Sequence, residues 1–266
     1  MPAVSIDEIN IYYEITGRGE PLLLLHGLGS SAQDWEYQLP FFSGRYTVIT
    51  VDARGHGQSS KPAGPYSIKQ FAADTAALIR ALGLGPVHVA GLSMGGMTGY
   101  QLAVDHPELV RTLTAVNSPP EVLFKGMVGR VKLGYRAALF YLFGLKGLGG
   151  FIARRMFPHP GQDYLRQQFT ERVMKNQKHA YAASASAIIG WSIRSRLGEI
   201  ACPVLVIAGE YDDTPLAAQE QYVRELRDAR LLVIRNSYHA TPIDAPTEFN
   251  AALAEFLAQH QGGGHL

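Results

Sequence analysis

Residues 88–97 read "HVAGLSMGGM", and this stretch decides the fold. It places Ser93 between Gly91 and Gly95, after "PVHVAG" with the character of a strand and before "GGMTGYQLAVDH", which reads as a helix start. The pattern G-x-S-x-G is weak by itself: a chain of this glycine and serine content is expected to hold roughly 0.15 chance matches. Its setting adds the information. A strand that turns at once into a helix strains the backbone at the serine, and glycines on either side remove side chains that would collide there. Gly96 adds room for close packing.

Working outward, apolar runs of strand length alternate with helix-like segments. "INIYYEI" alternates and reads as an early antiparallel strand. "PLLLLHG", "YTVITVD", "VHVAGLS", "LTAVN", "VLVIAGE" and "LLVIRN" are continuously apolar, as strands buried on both faces would be. Between them, "SIKQFAADTAALIRALGL", "MTGYQLAVDHPELV" and "EFNAALAEFLAQH" are helix-like. This order predicts an α/β fold with a mostly parallel sheet covered on both faces by helices. The alternation stops between about Ser118 and Gly198, which divides the chain into a core of residues 1–118 and 199–266 and a helical insertion of residues 119–198. The insertion is aromatic, glycine-punctuated and basic, with Lys125, Arg130, Lys132, Arg136, Arg154 and Arg155. It reads as helices packed on the core with solvated basic faces, or more sharply as a cap over a site; its amphipathic basic character also fits a membrane surface.

The 266 residues carry a formal net charge of +1 and are 47% hydrophobic, which suits one large domain and gives no electrostatic reason to expect nucleic acid. The lone Cys202 excludes an internal disulfide framework and, entering the apolar run "ACPVLVIAG", reads as a buried inert thiol. No secretory signal and no uncharged apolar run long enough to span a bilayer is found, so a cytoplasmic protein, monomer or homodimer, is expected. "HQGGGHL" at the end has the glycine content of a frayed terminus.

A serine hydroxyl needs a base to take its proton, a carboxylate to orient that base, and donors for the oxyanion that attack creates. Each is available at a strand end. "LLLLHGLG" supplies a loop, and the backbone N–H groups of Leu28 and Met94 are the expected oxyanion donors. "VLVIAGEYDDTP" supplies Asp212 and Asp213, which compete for the acid role, and "LLVIRNSYHATPIDAP" supplies His239 as the base. Chemistry belongs at the carboxyl edge of such sheets. His26, His56, His88 and His106 read as structural, Asp52 and Arg54 as fixing their turn, and His159, Trp35 and Trp191 as candidates for lining a pocket. No His, Cys, Asp or Glu spacing matches a metal site, so neither metal nor cofactor is expected.

Together "HGLG", "VDARGHGQSS", "GLSMGG", "AGEYDD" and "SYHATPIDAPTEFNAALAEFL" resemble, in order, the α/β-hydrolase fold family over nearly the whole chain. The resemblance implies an eight-stranded sheet, Ser93 as nucleophile, His239 as base and, through the spacing G-x-x-D, Asp212 as the acid; it makes the insertion the family's variable helical cap. Within the family the motifs are similar to carboxylesterases, 3-oxoadipate enol-lactonases and cofactor-free haloperoxidases or perhydrolases. They imply a serine hydrolase of small to medium, largely apolar carboxylic esters. The alternatives are enol-lactone or meta-cleavage-product C–C hydrolysis, and a ligand receptor with vestigial hydrolysis. Serine at position 93 argues against haloalkane dehalogenases and epoxide hydrolases, which carry aspartate there.

Overall fold

The computed structural model describes residues 3–124 and 126–261. Eight strands form one sheet: β1 (Ala3–Ile6), β2 (Ile9–Gly17), β3 (Glu20–Leu25), β4 (Tyr46–Val51), β5 (Val87–Leu92), β6 (Val110–Val116), β7 (Val204–Gly209) and β8 (Ala229–Ile234), in spatial order β1-β2-β4-β3-β5-β6-β7-β8. β2 pairs antiparallel with both β1 and β4, and every other pairing is parallel. The helices are α1 (Leu39–Phe42), α2 (Ile68–Ala81), α3 (Met94–Asp105), α4 (Gly126–Met156), α5 (Asp163–Met174), α6 (Lys178–Ile188), α7 (Leu216–Glu225), α8 (Thr241–Asp244) and α9 (Pro246–Ala258).

The continuous apolar strands are explained by their two faces. In β3, Leu23 and Leu25 enter a core shared with Ala72, Ala76 and Ile79 of α2 and Tyr100 of α3. Leu22 and Leu24 enter a second core with Phe42 of α1 and Phe249 and Leu253 of α9. Because side chains alternate along a strand, one apolar run feeds both layers. β1 lies outside the strands singled out from sequence. It is a four-residue edge strand joined to β2 through Asp7, whose φ of 51° is left-handed.

Helices α4, α5 and α6 lie between β6 and β7. The chain leaves and re-enters through one point, where Glu121 and Ser192 form an antiparallel bridge flanked by Val122 N–H to Trp191 O (2.8 Å) and Ile193 N–H to Pro120 O (2.9 Å). α4 is broken at Gly144 (φ 62°, ψ −164°). By length and mean hydropathy (1.2) its stretch Ala137–Met156 reaches what a membrane span needs, although only 22% of it is buried. It is not an uncharged run, since it carries Lys146, Arg154 and Arg155. Lys125 and residues 262–266 lie outside the described residues, as do the side chains of Arg130, Lys132 and Arg136.

Candidate active site

Ser93 occupies the turn between β5 and α3 with φ 52° and ψ −113°. A non-glycine residue held there costs on the order of 1–3 kcal/mol unless its surroundings impose it. They do. Ser93 N–H donates to Val116 O at 2.9 Å, and the Ser118 hydroxyl donates to Ser93 O at 2.7 Å. The glycines are required by approach: a Cβ on Gly91 would lie 2.3 Å from Gly95, and one on Gly95 would lie 2.1 Å from Leu25 O. So α3 begins jammed against the ends of β3 and β5, and the serine side chain is thrust out at the carboxyl edge.

His239 follows β8. Its Nε2 lies 2.9 Å from Ser93 Oγ and its Nδ1 2.6 Å from Asp212 Oδ1. The Asp212 side chain is fully buried. Asp213, the competitor in sequence, turns away to an ion pair with Arg155 at an exposed position. The loop carrying His239 is held by Asp244 at the end of α8, which accepts from Tyr238 N–H (2.8 Å) and from the Ser237 hydroxyl (2.8 Å). Burial pushes the Asp244 carboxyl above its ordinary value, against the pull of those two donors. At Gly209 a Cβ would sit 2.1 Å from Tyr238 O, so the chain beyond β7 packs directly under the same loop.

The "HGLG" loop is tied down from beneath. Ala53 N–H donates to His26 Nε2 (3.0 Å), so the proton of a neutral ring is on Nδ1, which lies 2.7 Å from Gly27 O. Gly27 N–H donates to Asp34 Oδ2 at 3.1 Å, and the Ser30 hydroxyl bonds the same carboxylate. Burial raises the Asp34 carboxyl's affinity for a proton, opposed by His26, Ser30 and the Arg172 guanidinium of α5. Leu28 and Met94 share an apolar cluster. Among the described residues neither N–H has a protein acceptor; Met94 heads α3, where the first N–H groups have no intrahelical partner. Gly29 has φ 77°, and a Cβ there would meet the Tyr181 ring of α6 at 2.7 Å, which seats the loop directly under α6.

The other expectations divide. His56 is buried against the His26 ring (5.0 Å), and burial first, then His26, lowers its pKa to about 3, so it stays neutral. Asp52 accepts from Ala32 N–H and Gln58 N–H, and Arg54 forms a bidentate pair with Asp74 on α2, so both brace their turn. His88 bonds Thr112 inside the sheet, and His106 ends α3. Trp35 is wholly buried in the core on the α9 side, 6.2 Å from Phe249. Trp191 belongs to the stem of the insertion. Its indole N–H donates to Gln101 Oε1 at 3.0 Å, eight residues along α3 from Ser93, a rise of about 12 Å. His159 is exposed, with its ring edge at 5.4 Å against Tyr238, the residue before His239.

Sequence reasoning missed Asp34, Ser118 and Asp244. Each is a short polar residue breaking an apolar pattern within a few residues of a motif, and that was the available signal.

Cys202 is half-buried, and desolvation pushes its thiol up to about 12. At pH 8 it therefore stays protonated in the folded protein. Iodoacetamide labelling followed by mass spectrometry should show slow modification of the native chain and at least about tenfold faster modification after denaturation, where the thiol regains an ordinary pKa of about 8.5.

The alpha/beta hydrolase fold profile matches residues 20–246. A 3-oxoadipate enol-lactonase from Acinetobacter baylyi is 29% identical over 257 residues, covering 94% of each chain. An (E)-2-((N-methylformamido)methylene)succinate hydrolase of the same organism is 31% identical over 259 residues, 92% of this chain and 93% of its own. An enol-lactonase structure from Burkholderia xenovorans superposes with a TM-score of 0.88 at 24% identity, over 97% of this chain and all of the other, a likeness of fold. By the profile match over residues 20–246, together with the strand-turn-helix serine and the sheet order, the chain belongs to the alpha/beta hydrolase fold family.

Proposed function

We propose that the protein hydrolyses carboxylic esters of small to medium, largely apolar substrates through an acyl-enzyme on Ser93. The observation that carries this reading is the unbroken hydrogen-bonded chain Ser93–His239–Asp212. His239 Nε2 accepts the Ser93 proton as Oγ attacks the ester carbonyl carbon. The imidazolium is stabilised by Asp212, whose carboxylate holds Nδ1–H and fixes the tautomer. Leu28 and Met94 N–H groups receive the oxyanion, each such donor being worth about 10²–10³ in rate. The tetrahedral intermediate collapses, the bond to the alkoxy oxygen breaks, and His239 returns the proton to the leaving alcohol. Water, deprotonated by the same histidine, then releases the acid and restores Ser93. The machinery needs no metal or cofactor. α4–α6 act as the cap that chooses the substrate, with His159 at its border with the base.

A lactone is a cyclic ester, and the relative named 3-oxoadipate enol-lactonase spans this chain almost end to end, which favours enol lactones as a second substrate class for the same steps. Steady-state rates on p-nitrophenyl esters of graded acyl length, an enol lactone and a dienone acid separate the readings. Multiple turnover on the esters, with or without the lactone, is expected. Turnover of the dienone acid alone would replace ester cleavage by C–C hydrolysis. A single stoichiometric burst would make the pocket a receptor.

A further inference from the structure

We propose that the part of α4 before Gly144 docks on an anionic phospholipid surface. Met127, Val131, Tyr135, Ala138 and Leu142 recur at spacings of four, four, three and four, so they fall within about 80° of one helix face. All are exposed: Met127 by 77%, Val131 by 63%, Tyr135 by 51% and Leu142 by 75%. Tyr141 (81%) and Phe143 (64%) extend the patch at the break. An apolar face of this length left in water marks a surface that something else covers.

Charge says what covers it. Residues 126–156 contain six basic residues, Arg130, Lys132, Arg136, Lys146, Arg154 and Arg155, and no aspartate or glutamate, in a chain whose net charge is only +1. An apolar helix face within a basic, acid-free segment is the pattern of a helix lying in a lipid headgroup layer and drawn to anionic lipids. The segment lies on the surface and does not cross it, because beyond Gly144 the helix is part of the fold: Leu145, Leu148, Ala153 and Met156 are buried. The other side of the same helix packs toward the proposed site. Phe140 stacks on Tyr181 at 5.9 Å, Tyr181 is the ring over Gly29, and Leu28 packs in one apolar cluster with Leu139 and Phe140. The face lies on the element proposed to gate the substrate.

The test is sedimentation with vesicles, run on the Ser93→Ala chain so that hydrolysis plays no part and a failure of the esterase reading leaves the result intact. The chain is expected to pellet with vesicles of equal parts phosphatidylcholine and phosphatidylglycerol, at least roughly tenfold more than with phosphatidylcholine alone, and to be released by high salt. Met127→Ser, Val131→Ser and Leu142→Ser combined should lower binding at least roughly tenfold with an unchanged thermal midpoint, as should Arg130→Glu with Lys132→Glu. The proposal is overturned if the chain stays in the supernatant, if it pellets equally on both vesicles, or if the triple-serine variant binds as wild type. It is also overturned if the face instead joins two copies, read by ultracentrifugation as a dimer that the serine substitutions dissolve.

Discussion

Ser93→Ala is expected to reduce p-nitrophenyl ester turnover by about ten-thousandfold or more, with the thermal midpoint near that of wild type. Everything that holds position 93 is backbone or belongs to neighbours: Ser93 N–H on Val116, Ser118 on Ser93 O, and three glycines packed to contact. The hydroxyl itself hydrogen-bonds His239. Alanine keeps the turn, including its left-handed φ, and removes the atom that would form the acyl bond. Because triad members act as a unit, what remains should be the modest catalysis that the oxyanion donors and binding provide without a nucleophile. Steady-state assay of the purified variant beside a thermal melt gives both readings. Wild-type rates in a folded Ser93→Ala protein would end the covalent mechanism.

Asp212→Asn and Asp213→Asn, one residue apart, are expected to differ by about three orders of magnitude or more in kcat. Asp212 is buried with Oδ1 on His239 Nδ1; an amide there no longer favours the productive tautomer or offsets the imidazolium, a loss of about 10⁴. Asp213 only pairs with exposed Arg155, an interaction worth about 0–1 kcal/mol, and its replacement should leave kcat within about twofold. Parallel kcat measurements decide; a large loss confined to the Asp213 variant would reverse the assignment.

These residues were legible in sequence because the fold places chemistry where strands end, and the ends of continuously apolar strands are easy to see. The choice between Asp212 and Asp213 was less so: it needs the direction of the chain after β7, which the packing of Gly209 against Tyr238 sets. Asp34, Ser118 and Asp244 act on backbone groups brought close by folding, and no periodicity announces such contacts. The surroundings of Trp35 were hidden for a related reason. A large aromatic near "HGLG" can flank a pocket or fill a core, and only the meeting of its ring with Phe249, more than two hundred residues away, decides. β1 is too short for alternation to register, and its place follows from pairing with β2.

The bridge between Glu121 and Ser192 fixes more than the route of the chain. With both ends of residues 122–191 stitched together beside α3, the separation of β6 and β7 does not depend on what lies between them. Lengthening or shortening that segment is then a loop-closure problem, whose cost grows with the logarithm of length, about 0.6 kcal/mol per doubling. The sheet edge is thereby insulated from length variation in the insertion, so residues 122–191 can change in length and sequence while Ser93, Asp212 and His239 keep their places.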